Sequence, residues 1–195
     1  MKMSVEIVKL LLFLMGHMTF LQTEKMLMER HFHNIIPKLN FPHSCVRINE
    51  SQHFKECIRF IHECRLNGGA CLVHCLAGVS RSTTMVVAYL MTVTSYSWEE
   101  CLCAVKSVRS FVGPNYGFQQ QLQEFQMKQV SEYRAWLRAS YRPSPFKDQE
   151  QVQALLSLYT EQQQQAQQRE EEWLNQSSST CTLPNNKYSR PGSNS

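Results

Sequence analysis

The hydrophobic and polar positions of this chain predict a series of helices and one short buried strand in its central part. Apolar residues recur three and four positions apart between residues 52 and 65, which is typical of an amphipathic helix, and Asn67-Gly68-Gly69 favours its C-terminus. The apolar run 70–73 predicts the strand, and residues 82–91 predict a buried helix. The pattern therefore places a loop between a strand end and a helix N-terminus.

Three further patterns predict helices in the second half of the chain. Ser97 followed by Glu100 is a capping-box signature at a helix start. One apolar stripe predicts a long helix and a second predicts a last docking helix. The long stripe contains Phe118, Leu122, Phe125, Tyr133 and Trp136, and the last one contains Val152, Leu155, Leu156 and Tyr159. The basic residues between the aromatic ones are typical of a solvated helix face, so no nucleic-acid partner is predicted.

Both ends of the chain differ from this central part. Residues 5–21 predict an apolar helix, shorter than the ~20 apolar residues of a membrane span and interrupted by Gly16, His17 and Thr19. We interpret it as a packing helix rather than a stable membrane anchor, with a secretory signal or membrane contact as alternatives. Residues 161–172 are nearly all glutamine, glutamate and arginine and predict an exposed helix, and residues 175–195 predict a disordered tail.

Composition limits the class of protein. With 195 residues, 43% of them hydrophobic, the chain is long enough for one core of moderate size, and a net charge of +4 does not indicate a nucleic-acid binder. Its eight cysteines are scattered and do not resemble a disulfide framework. His31, His33, His43 and Cys45 lack the regular spacing of metal ligands, so neither a metal nor another cofactor is predicted.

Candidate chemistry is concentrated in the loop from His74 to Ser82. Backbone N–H groups and the helix dipole converge on such a junction, which favours a phosphate and lowers a thiol pKa. Cys75 is therefore a candidate thiolate nucleophile, and the planar, permanently charged Arg81 suits two phosphoryl oxygens. Gly78 allows the backbone to turn its amides inward, while Ser82 is placed to donate a hydrogen bond to the sulfur.

Two other interpretations account for parts of this loop. Cys75 as a buried core cysteine, with Arg81 as a surface charge at a helix start, explains the two residues singly but not the whole pattern. Rhodanese-like and arsenate-reductase loops are a further alternative. His74 before the cysteine and serine after the arginine favour a phosphatase-type catalytic loop.

The sequence resembles the small atypical dual-specificity protein phosphatases, in the subgroup that contains the JNK-stimulatory phosphatase. The likeness covers about half the chain. Its segments are His53-Phe54-Lys55-Glu56, Phe60-Ile61-His62-Glu63-Cys64-Arg65, His74 to Ser82, Tyr89 to Thr94, Gly117-Phe118-Gln119 and Ser144-Pro145-Phe146. The resemblance implies an α/β cysteine-phosphatase fold, with a central sheet flanked by helices, and an atypical or truncated N-terminal part.

The same resemblance implies the activity and the roles of residues. It implies metal-free, two-step hydrolysis of phosphotyrosine and phosphoserine or phosphothreonine in proteins, commonly in mitogen-activated kinase and JNK signalling. Cys75 is then the nucleophile, Arg81 the phosphate clamp, and Asn115 a brace for the loop, with His74 as a second support. The amide cradle comprises Leu76, Ala77, Gly78, Val79 and Ser80. The implied partners are phosphorylated proteins.

The chain departs from the family at the proton donor. The family uses an upstream aspartate, whereas the single aspartate of this chain is Asp148, far past the loop. Glu50 is the nearest carboxylate to the missing position and is the candidate substitute acid. Without a general acid, a reaction slows by ~10²–10⁴. An impaired phosphatase that mainly binds phosphoproteins, and a truncated isoform with an exposed sheet edge, are therefore the alternatives.

These observations predict the organisation of the whole chain. Residues 1–44 form a divergent segment with the apolar helix, residues 45–147 the catalytic core, residues 148–174 a Gln/Glu-rich helix, and residues 175–195 a tail. Because a thiolate enzyme needs a reducing compartment, the expected location is the cytoplasm, and also the nucleus.

Overall fold

The computed structural model describes residues 34–35, 53–67, 71–73, 75, 78–141 and 143–179; for residues 34–35, 71–72 and 177–179 it describes the backbone. These residues form the strands β1 (Asn34–Ile35) and β2 (Cys71–Leu72) and the helices α1 (Phe54–Leu66), α2 (Arg81–Val93), α3 (Trp98–Val108), α4 (Tyr116–Lys128), α5 (Val130–Ser140) and α6 (Asp148–Ser179). The predicted N-terminal helix at residues 5–21, the residues rejected as metal ligands (His31, His33, His43 and Cys45) and Glu50 lie outside the described residues.

The two strands pair in parallel and lead toward the loop. Asn34 is opposite Cys71, and Ile35 is opposite Leu72. Val73, directly after β2, is 2% exposed, in agreement with the predicted buried strand. Cys75 therefore lies two residues after the buried Val73 and three residues after the end of β2.

Helix α2 is the centre of the core and confirms the predicted buried helix. All its residues from Ser82 to Thr92 are buried, and α1, α3, α4 and α5 each pack against it. A helix covered on every side cannot leave polar side chains without partners. Thr83, Thr84 and Thr92 accordingly donate their hydroxyls to the carbonyl oxygens four residues earlier, at 2.8 to 3.0 Å. The helix that begins at the loop is thus held rigidly by its surroundings.

Helices α1 and α3 also agree with the sequence patterns. Helix α1 buries Phe54, Ile58 and Ile61 and ends at the C-cap Asn67. At the start of α3 the Glu100 N–H donates to the Ser97 hydroxyl at 3.2 Å, and the Ser97 N–H donates to the Glu100 carboxylate at 2.8 Å. The predicted capping box is therefore confirmed.

The single long helix predicted from the stripe at residues 118–136 is wrong, because the chain forms two helices that meet at Gln129. Gln129 has φ −127° and ψ −28°, outside the helical range, although no glycine or proline marks the break. A straight helix over residues 116–140 would be about 36 Å long, nearly twice the length of α2. The break lets α4 and α5 both pack against α2, with Phe125 and Tyr133 in contact at 5.0 Å across it.

A buried polar network connects α1, α2 and the first residue of α6. Arg65 forms two hydrogen bonds with Asp148, Nη2 to Oδ1 at 2.7 Å and Nη1 to Oδ2 at 3.2 Å, and both side chains are 4% exposed. Arg65 Nη1 also donates to the Tyr89 hydroxyl at 2.7 Å. The Tyr89 hydroxyl lies 3.2 Å from His62 Nδ1. Burial, with the nearby Arg65, lowers the pKa of His62, so its neutral ring can accept a hydrogen bond from that hydroxyl.

The C-terminal helix begins in the core. Val152 and Leu155 are buried, as the last apolar stripe predicts, whereas residues 160–176 are exposed. The chain divides into two compact units, residues 1–159 and 160–195. Helix α6 continues to Ser179, so the prediction places the start of the tail too early, at residue 175. No glycine or proline occurs in the sequence between Asp148 and Pro184 to end the helix sooner. Among the described helices, none has the length and apolarity to cross a membrane.

Candidate functional site

The loop between β2 and α2 brings together most of the described candidate residues. Cys75 lies at its start, and Gly78, Val79 and Ser80 lead into α2, whose first residue is Arg81. Gly78 has φ +65°, a left-handed conformation that side chains disfavour. The glycine therefore makes the turn that the sequence analysis assigned to it.

Hydrogen bonds occupy the carbonyl groups of the last two loop residues, Val79 and Ser80. The Val79 carbonyl accepts from the Thr83 hydroxyl at 2.8 Å and from the Gly113 N–H at 3.1 Å. The Ser80 carbonyl accepts from both the N–H and the hydroxyl of Thr84, each at 3.0 Å. Because carbonyl and N–H groups of one peptide unit point in opposite directions, the N–H groups of Ser80 and Arg81 point away from these donors.

The surroundings of Cys75 favour its thiolate. Burial raises the pKa of the Cys75 thiol, but hydrogen bonds to the sulfur from the Ser82 hydroxyl and backbone N–H outweigh it. The N–H groups of Gly78 and Val79 contribute in the same direction, and the pKa lies below its ordinary value. The Ser82 hydroxyl is 3.3 Å from the sulfur, where the sequence analysis placed it.

A second cysteine shows how specific this environment is. Cys101 on α3 is fully buried, and burial raises the pKa of its thiol to about 12. A hydrogen bond with Thr94 does not offset that burial. Of these two cysteines, only Cys75 is chemically suited to act as a nucleophile near neutral pH.

Arg81 adds a fixed positive charge at the same place. It is half-buried at the N-terminus of α2, six residues after Cys75. Inward N–H groups, the positive end of a helix dipole and a guanidinium together attract a phosphate dianion. The arrangement therefore has the chemical parts to bind a phosphate and attack its phosphorus with sulfur. His74, Leu76 and Ala77 lie outside the described residues, so their assigned roles stay predictions.

The segment before α4 contacts the loop from one side. The backbone N–H of Asn115 donates to the Ser80 hydroxyl at 2.8 Å. Its side chain accepts from the Phe118 N–H at 3.0 Å and caps α4. Asn115 therefore reaches the loop through its backbone, while its side chain fixes the helix that follows; its role as a brace stays a prediction.

The structure gives the single aspartate of the chain a place outside the site. Asp148 is buried in the ion pair with Arg65, and its carboxylate accepts two hydrogen bonds there. A carboxylate in that position is not available to protonate a leaving group. Glu50, the candidate substitute acid, lies outside the described residues, and no cluster of metal-binding side chains occurs within the part of the chain that the structure describes.

Sequence reasoning missed two contributions to the site. It assigned Ser80 to the loop through its amide, but the Ser80 hydroxyl also accepts from Asn115. It did not use the segment from Arg109 to Gly113, in which the Gly113 N–H donates to the Val79 carbonyl. Gly113-Pro114 between a helix end and a capping asparagine was the available signal, because such a pair marks a fixed turn.

Ser82→Ala is expected to raise the pKa of the Cys75 thiol, because it removes the hydroxyl that hydrogen-bonds the sulfur. The rate of Cys75 alkylation then rises at higher pH than in the unmodified protein and is several-fold slower at pH 7. Mass spectrometry of iodoacetamide labelling against pH measures this change. Ser107→Ala is the matched control, since that buried serine donates to the Ala104 carbonyl on α3. An identical labelling profile for Ser82→Ala would contradict the assignment.

Comparison with known proteins defines the class. Residues 20–128 match the dual specificity phosphatase catalytic domain. The chain is 81% identical over 146 residues to Dual specificity protein phosphatase 22-A of Danio rerio, covering 75% of this chain and 70% of that protein. It is 56% identical over 109 residues to Dual specificity protein phosphatase 22 of Homo sapiens, covering 56% and 59%. The crystal structure of DUSP15 aligns with a TM-score of 0.55 at 39% identity, over 65% of this chain and 91% of that one.

The chain belongs to the dual specificity phosphatase family, a family of cysteine-dependent protein phosphatases. It spans about seven tenths of the Danio rerio relative and less than two thirds of the human one. The predicted resemblance is therefore confirmed, and the fold neighbour is a solved phosphatase of the same family.

Proposed function

We propose that this chain hydrolyses phosphotyrosine and phosphoserine or phosphothreonine in proteins through a phosphocysteine intermediate, with Cys75 as nucleophile. The observation that carries the proposal is the lowered pKa of Cys75, whose sulfur lies 3.3 Å from the Ser82 hydroxyl and accepts hydrogen bonds from the Gly78 and Val79 N–H groups. The thiolate attacks phosphorus, the sulfur–phosphorus bond forms, and the bond to the substrate oxygen breaks. Arg81 and the loop N–H groups stabilise the charge on the phosphoryl oxygens.

The second step hydrolyses the phosphocysteine and regenerates the free Cys75 thiolate. Water attacks phosphorus, inorganic phosphate leaves, and the sulfur departs as a thiolate. The Ser82 hydroxyl, 3.3 Å from the sulfur, stabilises that departing charge by a hydrogen bond. No metal or other cofactor takes part in either step as proposed.

Several broader statements belong to the same proposal. Strands β1 and β2 are parts of a central sheet flanked by helices. The substrates are components of mitogen-activated kinase pathways, including JNK signalling, a proposal supported by the family relationship. A reducing compartment suits the thiolate, so the proposed location is the cytoplasm and the nucleus.

A catalytically impaired phosphoprotein-binding module is the second candidate function. The observation that favours it is the burial of Asp148, which leaves the chain without an aspartate to serve as general acid. The leaving oxygen then departs unprotonated unless Glu50 or another group supplies the proton. Alkyl phosphates from serine and threonine suffer most from that loss.

Hydrolysis of an aryl phosphate and of a phosphothreonine peptide distinguishes the two functions. We expect turnover of the aryl phosphate to exceed that of the peptide by ~10²–10⁴, the usual value of general acid catalysis. If Glu50 is the acid, Glu50→Gln lowers peptide turnover selectively. Glu56→Gln is the matched control, because this exposed glutamate on the first turn of α1 pairs with His53.

Either outcome is informative about the two candidates. Measurable peptide turnover supports the phosphatase, whereas aryl turnover alone supports the binding module. Equal rates on both substrates would contradict the hypothesis that the chain lacks a general acid. No turnover of either substrate would contradict the proposed phosphatase activity of this chain.

A further inference from the structure

Two large aromatic side chains lie exposed beside the phosphate loop. Phe111 is 87% exposed, and Tyr116 is 73% exposed. Phe111 lies in the connection between α3 and α4, and Tyr116 is the first residue of α4. Neither side chain contributes to the core. Single apolar residues are common on protein surfaces, but a phenylalanine with almost its whole side chain in solvent is unusual.

The backbone around these two residues is fixed to the loop by two hydrogen bonds. The Gly113 N–H donates to the Val79 carbonyl at 3.1 Å, and the Asn115 N–H donates to the Ser80 hydroxyl at 2.8 Å. Phe111 is two residues before Gly113, a span of at most ~7 Å in extended chain. Tyr116 directly follows Asn115. Both aromatic residues are thus attached to a backbone segment that is bonded to the phosphate loop.

The segment that carries Phe111 and Tyr116 is anchored by buried neighbouring residues. Val112, next to Phe111, is 2% exposed in the core, and Phe118 of α4 is 8% exposed. The Tyr116 hydroxyl accepts from Gln120 Nε2 at 3.0 Å, which orients its ring. An exposed aromatic group on a fixed backbone loses little conformational freedom when a partner covers it. The loop itself adds apolar surface through Val79, which is 37% exposed.

We propose that Phe111, Tyr116 and Val79 form an apolar rim that contacts the substrate chain beside its phosphorylated residue. This inference rests on the proposed function, because a phosphoresidue bound at Cys75 brings its neighbours in sequence over the rim. The occupant is a phosphoprotein segment with an apolar side chain within two or three residues of the phosphate. Burial of that side chain against the rim stabilises the complex and selects among phosphoproteins.

A pair of phosphotyrosine peptides that differ by leucine or serine at these flanking positions tests the rim. We expect kcat/KM to favour the leucine peptide about tenfold in the unmodified chain. In Phe111→Ala, and further in Phe111→Ala with Tyr116→Ala, the ratio of the two kcat/KM values falls toward one. The ratio within each variant is the measured quantity, so general changes in activity cancel.

Met127→Ala is the matched control, because Met127 is 68% exposed and lies on α4 about 16 Å along the helix from Tyr116. It is expected to keep the preference for leucine. A preference that survives in both rim variants, or that is absent from the unmodified chain, would overturn the inference while leaving the proposed function intact. If the chain turns over neither peptide, the proposed function fails. The binding of the two peptides to Cys75→Ser then tests the apolar rim separately. Equal Kd values for the leucine and serine peptides would overturn the inference.

Discussion

Cys75→Ser is expected to lower turnover of an aryl phosphate by at least ~10³-fold, the scale on which enzymes lose activity when their nucleophile is removed. Serine keeps the size of the side chain, but its hydroxyl is not ionised at neutral pH by the hydrogen bonds that stabilise the Cys75 thiolate. Phosphate-release kinetics with an aryl phosphate measure the loss. The variant should still bind phosphate, because Arg81 and the loop N–H groups are unchanged.

Cys103→Ser is the matched control for this result. Cys103 is half-buried like Cys75, but it lies on α3 and contacts Tyr159 through its thiol, away from the loop. Its replacement is expected to leave turnover unchanged. Turnover that persists in Cys75→Ser, or that disappears equally in Cys103→Ser, would contradict the assignment of the nucleophile.

Asp148→Asn is expected to lower the free energy of unfolding by about 3–5 kcal/mol, the usual cost of breaking a buried ion pair from one side. The substitution leaves the Arg65 guanidinium in the core without its counter-charge, with the side chain 4% exposed. The Tyr89 hydroxyl and the Phe146 ring, whose centroid is 4.0 Å from the guanidinium carbon, would remain as partners, and neither neutralises the charge. Urea unfolding followed by circular dichroism measures the change.

Two further variants make this stability prediction specific. Glu150→Gln breaks the Lys147–Glu150 ion pair two residues away, where both side chains are more than two thirds exposed, and should leave stability within experimental error. Arg65→Met combined with Asp148→Leu removes both charges and should recover most of the stability lost in Asp148→Asn. If Asp148→Asn and Glu150→Gln unfold alike, the buried pair is not important for the fold.

The sequence predicted the elements whose signals are local. Helices α1, α2 and α3 follow from apolar spacing and from the Ser97–Glu100 capping box, and Gly78 was recognised as the turn before α2. The pairing of Cys75 with Ser82 was also accessible, because a fixed loop spacing carries its own geometry. The chemistry of the loop is therefore readable within nine consecutive residues.

What the sequence could not predict depends on contacts between distant segments. The break at Gln129 follows from packing against α2, and the local pattern favours one continuous helix there. The role of Asp148 in the core could not be predicted either, because its partner Arg65 lies 83 positions earlier in the chain. The contacts of Gly113 and Asn115 with the loop likewise depend on tertiary structure.

The position of Asp148 also has a consequence for the order of folding. During synthesis from the N-terminus, the nucleophile, the phosphate loop and helix α2 all emerge before the only aspartate of the chain. Until residue 148 is available, a folded core would enclose the Arg65 charge next to Tyr89 without compensation. Closure of the domain around Arg65 is therefore a late, long-range event, completed by a residue that lies 73 positions after the nucleophile.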